Sequence, residues 1–250
     1  MADLNSPIAG AQPTVEDMAR DMGLRRFLLG IYQKMALGLV VTGVIAWAVS
    51  QSPTMSALLY TSGRDGINGY TAFGLCMVFA PLVLSLMSNL FMRSLNVAVM
   101  AGFYWLFVAV MGVSISSIFL LYGITSIASM FLITAGAFGA LSLYGYTTKV
   151  NMTGWGSFLM MAIFGIIIAS LVNFFLLKSP MLDFGISVVC VLVFSVLIAF
   201  RTQWLKATYY QMQVSQRGLA ALTYFGALSL YISFMNVFLS LLRIFGGGRR

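Results

Sequence analysis

The residues of this sequence that could take part in chemistry are concentrated in its last two apolar segments. In the final segment, polar residues follow one another at offsets of four, three and four: Ser229, Ser233, Asn236 and Ser240. Residues three and four apart share one face of a helix, so the spacing predicts a polar stripe. Lipid is a poor neighbour for such a stripe, and we expect it to point into a helix bundle. There it either lines a pathway for an ion or hydrogen-bonds a neighbouring helix.

A further candidate, Arg201, lies near the end of the preceding apolar segment, just before Gln203. A long arginine side chain at this position either reaches the lipid headgroups or points inward. Pointing inward, it would bond a hydroxyl, amide or carbonyl group of the last segment. Our candidates for a pore lining, or for a latch between the last two helices, are therefore Arg201, Ser229, Ser233, Asn236 and Ser240.

The acidic residues are too few and too peripheral for carboxylate chemistry inside a membrane. None falls in the middle of an apolar segment, and they are Asp3, Glu16, Asp17, Asp21, Asp65 and Asp183. Proton relays and hard-cation sites within membranes are normally built on buried carboxylates. A carboxylate-coupled transporter is therefore disfavoured. So is an intramembrane aspartyl protease, which needs two carboxylates that share a proton.

The sequence offers no other catalytic or metal-binding constellation. It contains no histidine, and its two cysteines, Cys76 and Cys190, form no CxxC pair. It has no G-x-S-x-G, P-loop or H-E-x-x-H motif. Without histidine, a serine nucleophile would depend on lysine, and the lysines lie at predicted membrane boundaries. We therefore expect no catalytic residues, no metal site, no cofactor and no enzymatic activity.

Composition identifies the class of protein that holds these residues. Hydrophobic residues make up 60% of the chain, charged residues 8%, and the mean hydropathy is +0.96. Because a soluble protein carries about 25% charged residues, this chain is predicted to be an integral membrane protein whose partner is the lipid bilayer. The net charge is +8. Its basic residues are scattered singly between apolar runs, which indicates membrane topology rather than nucleic-acid binding.

Seven apolar runs are long enough to cross the hydrocarbon core as helices, which takes roughly 17–25 residues each. They lie near residues 28–50, 72–91, 95–121, 126–146, 156–177, 183–204 and 222–245. These runs are too long for barrel strands and show no two-residue alternation. We therefore predict an all-α integral membrane protein with seven transmembrane helices.

The distribution of lysine and arginine predicts the orientation. The N-terminal tail and the loops at Arg93, Lys149 and Lys206 carry most of the basic residues, which places the N-terminus in the cytoplasm. Residues 1–25 are predicted to form a flexible cytoplasmic tail, and residues 26–250 a single transmembrane domain. Seven spans put the C-terminus outside, where its arginines depart from the rule. A re-entrant seventh segment is the alternative.

Small residues in the fourth segment, Thr134–Ala140, allow a neighbouring helix to approach closely. We predict helix packing at Gly136 and Gly139. A conformational hinge at the same place is the alternative, because glycine lowers the stability of a helix.

Several motifs are similar to those of a known family. They are FGALSLYGYTTK at residues 138–149, WGSF at 155–158, IIIASLVN at 166–173 and LSLYISFMNVFLSLLRIFG at 228–246. Together they resemble the bacterial, YccA-like branch of the Bax inhibitor-1 family, the transmembrane Bax inhibitor motif proteins. The resemblance covers roughly residues 25–246. It implies seven helices, with the last helix central in the bundle.

The resemblance also implies functions. Family members are described as calcium-leak channels of intracellular membranes and as suppressors of cell death, and some bacterial members restrain the membrane-anchored protease FtsH. Calcium leak is tied to pH through two aspartates, one near the end of helix six and one in helix seven. This sequence has Arg201 and Ser233 at those positions. We therefore expect the paired-aspartate pH gate to be absent. Our hypothesis is a permanent latch between Arg201 and Ser233, supported by acids of the tail: Glu16, Asp17 and Asp21.

Two functions from different classes follow. The resemblance most directly implies a calcium-leak or ion-permeation regulator, in which Ca²⁺ or another cation passes along helix seven. The alternative is a non-conducting modulator that binds a membrane-anchored AAA protease of the FtsH type through its helices and the tail Met1–Leu24. In both cases we expect a multi-pass protein of the bacterial inner (plasma) membrane with a cytoplasmic N-terminus.

Overall fold

The computed structural model describes residues 22–63, 66–92, 96–148, 150, 152, 154–212 and 216–247. These residues form a helical bundle with one short hairpin. The helices are α1 (Met22–Gln51), α2 (Pro53–Leu59), α3 (Ala72–Met92), α4 (Val97–Ser114), α5 (Ile118–Leu121), α6 (Ile124–Thr147), α7 (Trp155–Val172), α8 (Pro180–Met212) and α9 (Gln216–Phe245). The all-α class predicted from the apolar runs is confirmed.

Among the described residues, six helices are long and apolar enough to cross a membrane. Their ranges are Met22–Gln51, Val97–Leu121, Ile124–Thr147, Trp155–Leu177, Pro180–Gln211 and Gly218–Phe245. The remaining predicted span corresponds to α3, whose apolar stretch Ala72–Ser88 is shorter. The predicted count of seven spans is therefore not confirmed, although a helix occupies each of the seven predicted segments.

The N-terminal boundary and the first loop differ from the sequence-based expectation. Helix α1 begins at Met22, ahead of the domain boundary predicted at residue 26, and Leu24 is fully buried. Between α2 and α3, the strands β1 (Tyr60–Gly63) and β2 (Gly66–Tyr70) pair antiparallel. The sequence predicted only a break there, since two strands this short leave a weak signal.

Helix α9 lies at the centre of the bundle. It packs against α8, α1, α4 and α6, and its apolar stretch is the most buried of the six candidate spans. Aromatic side chains fill the contact on several sides: Tyr231 is fully buried, and the ring of Phe234 packs against Phe131 and Phe138. A helix surrounded by protein can carry polar groups that lipid would not tolerate.

Two of the long helices approach closely at a glycine outside the small-residue run Thr134–Ala140. A Cβ atom on Gly145 of α6 would lie 2.4 Å from the carbonyl oxygen of Ala199 on α8. Gly136 and Gly139 are instead exposed, and a Cβ atom on either would meet nothing within 4 Å. The expectation that a neighbouring helix of this chain packs closely at Gly136 and Gly139 is thereby corrected. Composition alone does not reveal which face of a small-residue run meets a neighbour.

Candidate functional site

A cleft of about 1160 Å³ has α3 and α7 as its side walls and α8 and α9 as its floor. We call it the α3–α7 cleft. Its side walls exist because α3 packs mainly on α4 while α7 packs mainly on α8, which leaves a gap between the two helices. The walls are mostly apolar, with residues such as Leu82, Leu86, Ile163 and Ile167.

All of the residues predicted as pore or latch candidates line this cleft: Arg201, Ser229, Ser233, Asn236 and Ser240. Ser233 and Ser240 are buried, with exposed fractions of 0% and 3%. The helical offsets therefore place the stripe on the floor of the cleft rather than on the outer surface of the bundle.

The stripe contributes little to hydrogen bonding between helices. The Ser233 hydroxyl donates to the carbonyl of Ser229 at 3.0 Å, and the Asn236 amide donates to the carbonyl of Ile232 at 2.8 Å. Both bonds stay within α9, which leaves the carbonyl oxygen of the Asn236 side chain available to the cleft. Ser240 is the exception, since it lies close to the thiol of Cys190 on α8.

Other residues make the hydrogen bonds that join helices. Thr42 on α1 and Tyr231 on α9 pair through their hydroxyls at 2.6 Å, and Ser142 on α6 lies 3.1 Å from the hydroxyl of Thr202 on α8. Because these bonds already connect the helices away from the cleft, the polar stripe is not needed to hold α9 in place. This favours a pathway wall over interhelical bonding as the role of the stripe.

Arg201 brings a positive charge to one end of the cleft. Its Nε atom is buried and has no hydrogen-bond partner among the described residues. The only described ion pair in the chain is elsewhere, and Ser233 uses its hydroxyl within its own helix. The described contacts therefore contain no direct Arg201–Ser233 bond, which corrects that form of the latch hypothesis. The tail acids Glu16, Asp17 and Asp21 lie outside the described residues.

The opposite end of the cleft holds an ion pair, with Lys178 as a further basic lining residue. Asp183 at the start of α8 and Arg243 near the end of α9 lie 3.8 Å apart, with both side chains about half exposed (49% and 50%). A pair this accessible stabilises the protein by at most about 1 kcal/mol. Eighteen residues of helix separate Asp183 from Arg201, a distance of about 27 Å at 1.5 Å per residue. The carboxylate is therefore too far away to neutralise Arg201.

The end of the cleft near Asp183 is closed by aromatic rings and a tight turn. Phe79 of α3 packs edge-on against Phe174 at 5.5 Å and stacks on Phe175 at 5.8 Å between ring centroids. The two latter rings belong to a π-helical turn, Asn173–Leu177, that ends α7. Lys178 follows in the left-handed region with a φ of 47°. The chain thereby reverses direction into α8.

The side chain of Asn173 holds this reversal together. It is buried, accepts a hydrogen bond from the backbone N–H of Ser179 at 3.0 Å and donates to the carbonyl of Ser179 at 3.3 Å. Sequence analysis missed it as a functional candidate because its partner is a backbone only a few residues away. The proline at position 180 was the available signal, since a helix seldom continues into the residue before proline.

Replacing Asn173 by alanine is expected to lower the free energy of unfolding by about 1–3 kcal/mol, because two backbone groups of Ser179 lose their partner. The change is measured as a lower thermal unfolding midpoint of the purified protein in detergent. Leu176→Ala in the same turn is the control, since Leu176 is 75% exposed and should change the midpoint little. Equal midpoints for the two variants would contradict this role of Asn173.

The described residues hold no group of three or more His, Cys, Asp or Glu side chains that could bind a metal ion together. A cation in the cleft would therefore contact hydroxyl, amide and carbonyl oxygens, mostly from α9. Hard cations such as Ca²⁺ accept oxygen ligands of this kind, although tight sites add carboxylates. The arrangement suits transient contact better than tight binding.

Comparison with known proteins places this architecture in a family. The sequence model of the family described as "Inhibitor of apoptosis-promoting Bax1" matches residues 24–250. The chain belongs to the Bax inhibitor-1 family. This confirms the resemblance on which the sequence analysis relied. Within the family, the two positions at which the resemblance implies paired aspartates are Arg201 and Ser233, and both line the α3–α7 cleft.

Relatives in several bacteria cover nearly the whole chain. An uncharacterized protein of Caulobacter vibrioides is 48% identical over the full length of both chains. The inner membrane protein YbhL of Escherichia coli is 40% identical over 91% of this chain and 94% of its own. An uncharacterized protein of Rickettsia prowazekii is 38% identical over 94% of this chain and 95% of its own. The similarity therefore includes all of the helices that line the cleft.

Proposed function

We propose that this Bax inhibitor-1 protein is a calcium-leak or ion-permeation regulator whose route is the α3–α7 cleft, and that it lacks the family's paired-aspartate pH gate. The observation that carries the proposal is the cleft floor shared by Arg201, Ser229, Ser233, Asn236 and Ser240. The floor offers oxygen ligands along α9 in a mostly apolar surrounding. Such a lining permits a cation to pass without being held tightly.

The proposed topology has seven spans, a cytoplasmic N-terminus and a place in the bacterial inner membrane. Helix α3 runs from Ala72 to Met92, which is 21 residues and about 31 Å at 1.5 Å per residue. That length matches the roughly 30 Å hydrocarbon core. The name of the YbhL relative supports the inner membrane. Lysine and arginine are concentrated in the N-terminal tail and in the loops predicted on the same side of the membrane, which supports the orientation.

As long as no anion is bound to it, the charge of Arg201 makes the proposed leak slow. At an effective dielectric constant of about 20, bringing Ca²⁺ to about 5 Å from one positive charge costs roughly 7 kcal/mol. Among the described cleft residues, Asp183 is the only carboxylate, and it lies at the other end beside Arg243. The described residues contain no carboxylate pair near Arg201 that could change charge with pH. We therefore expect a low flux that differs little between about pH 6 and about pH 8.

Calcium flux into liposomes with single-cysteine variants tests the route. In a protein with Cys76→Ser and Cys190→Ser, Ser229→Cys places a thiol on the cleft floor, and a thiol-reactive cation should then reduce the flux. Leu192→Cys on α8 is the matched control, because Leu192 is 64% exposed and does not line the cleft. Flux no higher than in protein-free liposomes, or equal loss of flux at both positions, would contradict the proposal.

The alternative proposal is a non-conducting modulator that binds a membrane-anchored AAA protease of the FtsH type. The uncompensated charge of Arg201 favours it, since a positive charge at one end of the cleft opposes cation entry. A truncation that removes residues 1–21 tests it and should stop there, because Leu24 is part of the buried core. The modulator role requires the truncated protein to lose protease association. An ion-permeation role requires its flux to stay unchanged.

A further inference from the structure

Among the described residues, Arg201 is the strongest candidate for binding a partner that lies outside them. Its guanidinium carries five N–H donors and a permanent charge, and its Nε atom is buried without a partner among the described residues. Charged side chains within membrane segments normally pair with an opposite charge or with carbonyl oxygens. The described cleft residues supply no such anion, since Asp183 is about 27 Å away along α8. An anion that balances Arg201 would therefore have to come from outside the described part of the chain.

The shape of the cleft indicates an amphiphile rather than a small soluble anion. Its volume of about 1160 Å³ exceeds the ~300–1,000 Å³ usual for small-molecule pockets. Its side walls are mostly apolar, and between the apolar residues lie the small hydroxyls of Ser85, Ser88 and Ser170. Wall residues such as Leu86, Met160 and Phe164 are 51%, 41% and 48% exposed, so the cleft edges are continuous with the outer surface that faces the bilayer. An acyl chain can enter from the side without crossing a polar barrier.

The depth of Arg201 matches the level of lipid headgroups. Twenty-one residues separate it from Pro180 at the start of α8, which is about 31 Å along a helix axis. This equals the thickness of the hydrocarbon core. With Pro180 at one membrane surface, the guanidinium therefore lies at the phosphate level of the opposite leaflet. In the proposed topology that leaflet is the cytoplasmic one.

We propose that the α3–α7 cleft binds one anionic phospholipid of the cytoplasmic leaflet, with its phosphate on Arg201 and an acyl chain between α3 and α7. A guanidinium binds phosphate through two parallel hydrogen bonds, which a lysine ammonium does not reproduce. A net negative lipid such as phosphatidylglycerol leaves its charge for Arg201, whereas a zwitterionic lipid brings its own cation. The inference rests on the proposed function only for the placement of α8 across the membrane. It does not depend on ion flux.

Native mass spectrometry of the delipidated full chain tests the proposal. Phosphatidylglycerol and phosphatidylcholine with identical acyl chains are added in turn. The preference for the anionic lipid is the ratio of the two affinities for the first lipid molecule that binds. We expect the wild type to prefer phosphatidylglycerol at least tenfold and Arg201→Met to lose that preference. Arg201→Lys should keep part of it. Arg26→Met is the control, because it removes an exposed charge from α1 away from the cleft and should keep the full preference.

The thermal unfolding midpoint supplies a second readout that does not depend on detecting the complex. Phosphatidylglycerol should raise the midpoint of the wild type and of Arg26→Met, and should leave that of Arg201→Met unchanged. Equal lipid preference in wild type and Arg201→Met would overturn the proposal. An equal rise of the midpoint with inorganic phosphate or with oleate would also overturn it. So would a preference for phosphatidylglycerol that appears only after residues 1–21 are removed, because the acids of the tail would then be the natural partner of Arg201. If the protein gave no calcium flux but still preferred phosphatidylglycerol, only the proposed ion route would be contradicted.

Discussion

Gly145→Ala is expected to separate α6 from α8 and to lower the free energy of unfolding by about 2–3 kcal/mol. The new Cβ atom would lie 2.4 Å from the carbonyl oxygen and 2.8 Å from the Cα atom of Ala199. Both neighbours are backbone atoms of a long helix, so neither can rotate away as a side chain would. Relief requires the two helices to move apart, which also disturbs the nearby bond between Ser142 and Thr202.

The measurement is the thermal unfolding midpoint of the purified protein in detergent. Gly139→Ala is the matched control on the same helix, since its Cβ atom would meet nothing within 4 Å. Alanine favours a helix over glycine, so this control should leave the midpoint unchanged or raise it slightly. A Gly145→Ala protein as stable as the Gly139→Ala protein would show that α6 and α8 do not pack in this way.

Phe234→Ala is expected to destabilise the bundle by about 3–5 kcal/mol, the range observed when a buried aromatic ring is removed. Phe234 is 2% exposed on the central helix, and its ring centroid lies 5.4 Å from that of Phe131 and 5.8 Å from that of Phe138. Its removal leaves a cavity between α9 and α6 that the surrounding backbone cannot close. In lipid this loss is mainly one of packing, because lipid is as apolar as the protein interior.

This effect is measured by thermal unfolding, which is monitored through the loss of the monodisperse protein peak. Phe158→Ala removes the same side chain from α7, where it is 60% exposed, and should change the midpoint far less. Similar losses for the two variants would mean that Phe234 is not enclosed by protein.

The helices were predictable from the sequence because membranes impose one constraint on every span. Backbone groups in hydrocarbon must bond within the chain, so a long apolar run is a helix whatever its neighbours are. The offsets between Ser229 and Ser240 likewise predicted the common face that lines the cleft. Both inferences depend on spacing along the chain alone.

Features that depend on how helices meet were not predictable in the same way. Gly145 rather than Gly139 forms the close approach, because the rotation of α6 against α8 selects one face of the helix. The isolated charge of Arg201 is a property of three-dimensional surroundings, since no local pattern shows whether a partner lies nearby. The hydrogen bonds between the Asn173 side chain and the backbone of Ser179 depend on a π-helical turn, which the pattern of apolar residues does not specify.

The most direct test of the account is calcium flux into liposomes containing wild type or the double variant Arg201→Asp/Ser233→Asp, at about pH 6 and about pH 8. Both substituted positions line the α3–α7 cleft. Two carboxylates placed there should attract Ca²⁺ and share a proton, since like charges at close range raise one pKa. We predict a low wild-type flux that is the same at both pH values and a larger, pH-dependent flux for the folded double variant. A folded double variant with the same flux as the wild type at both pH values would contradict the assignment of the cleft as the ion route.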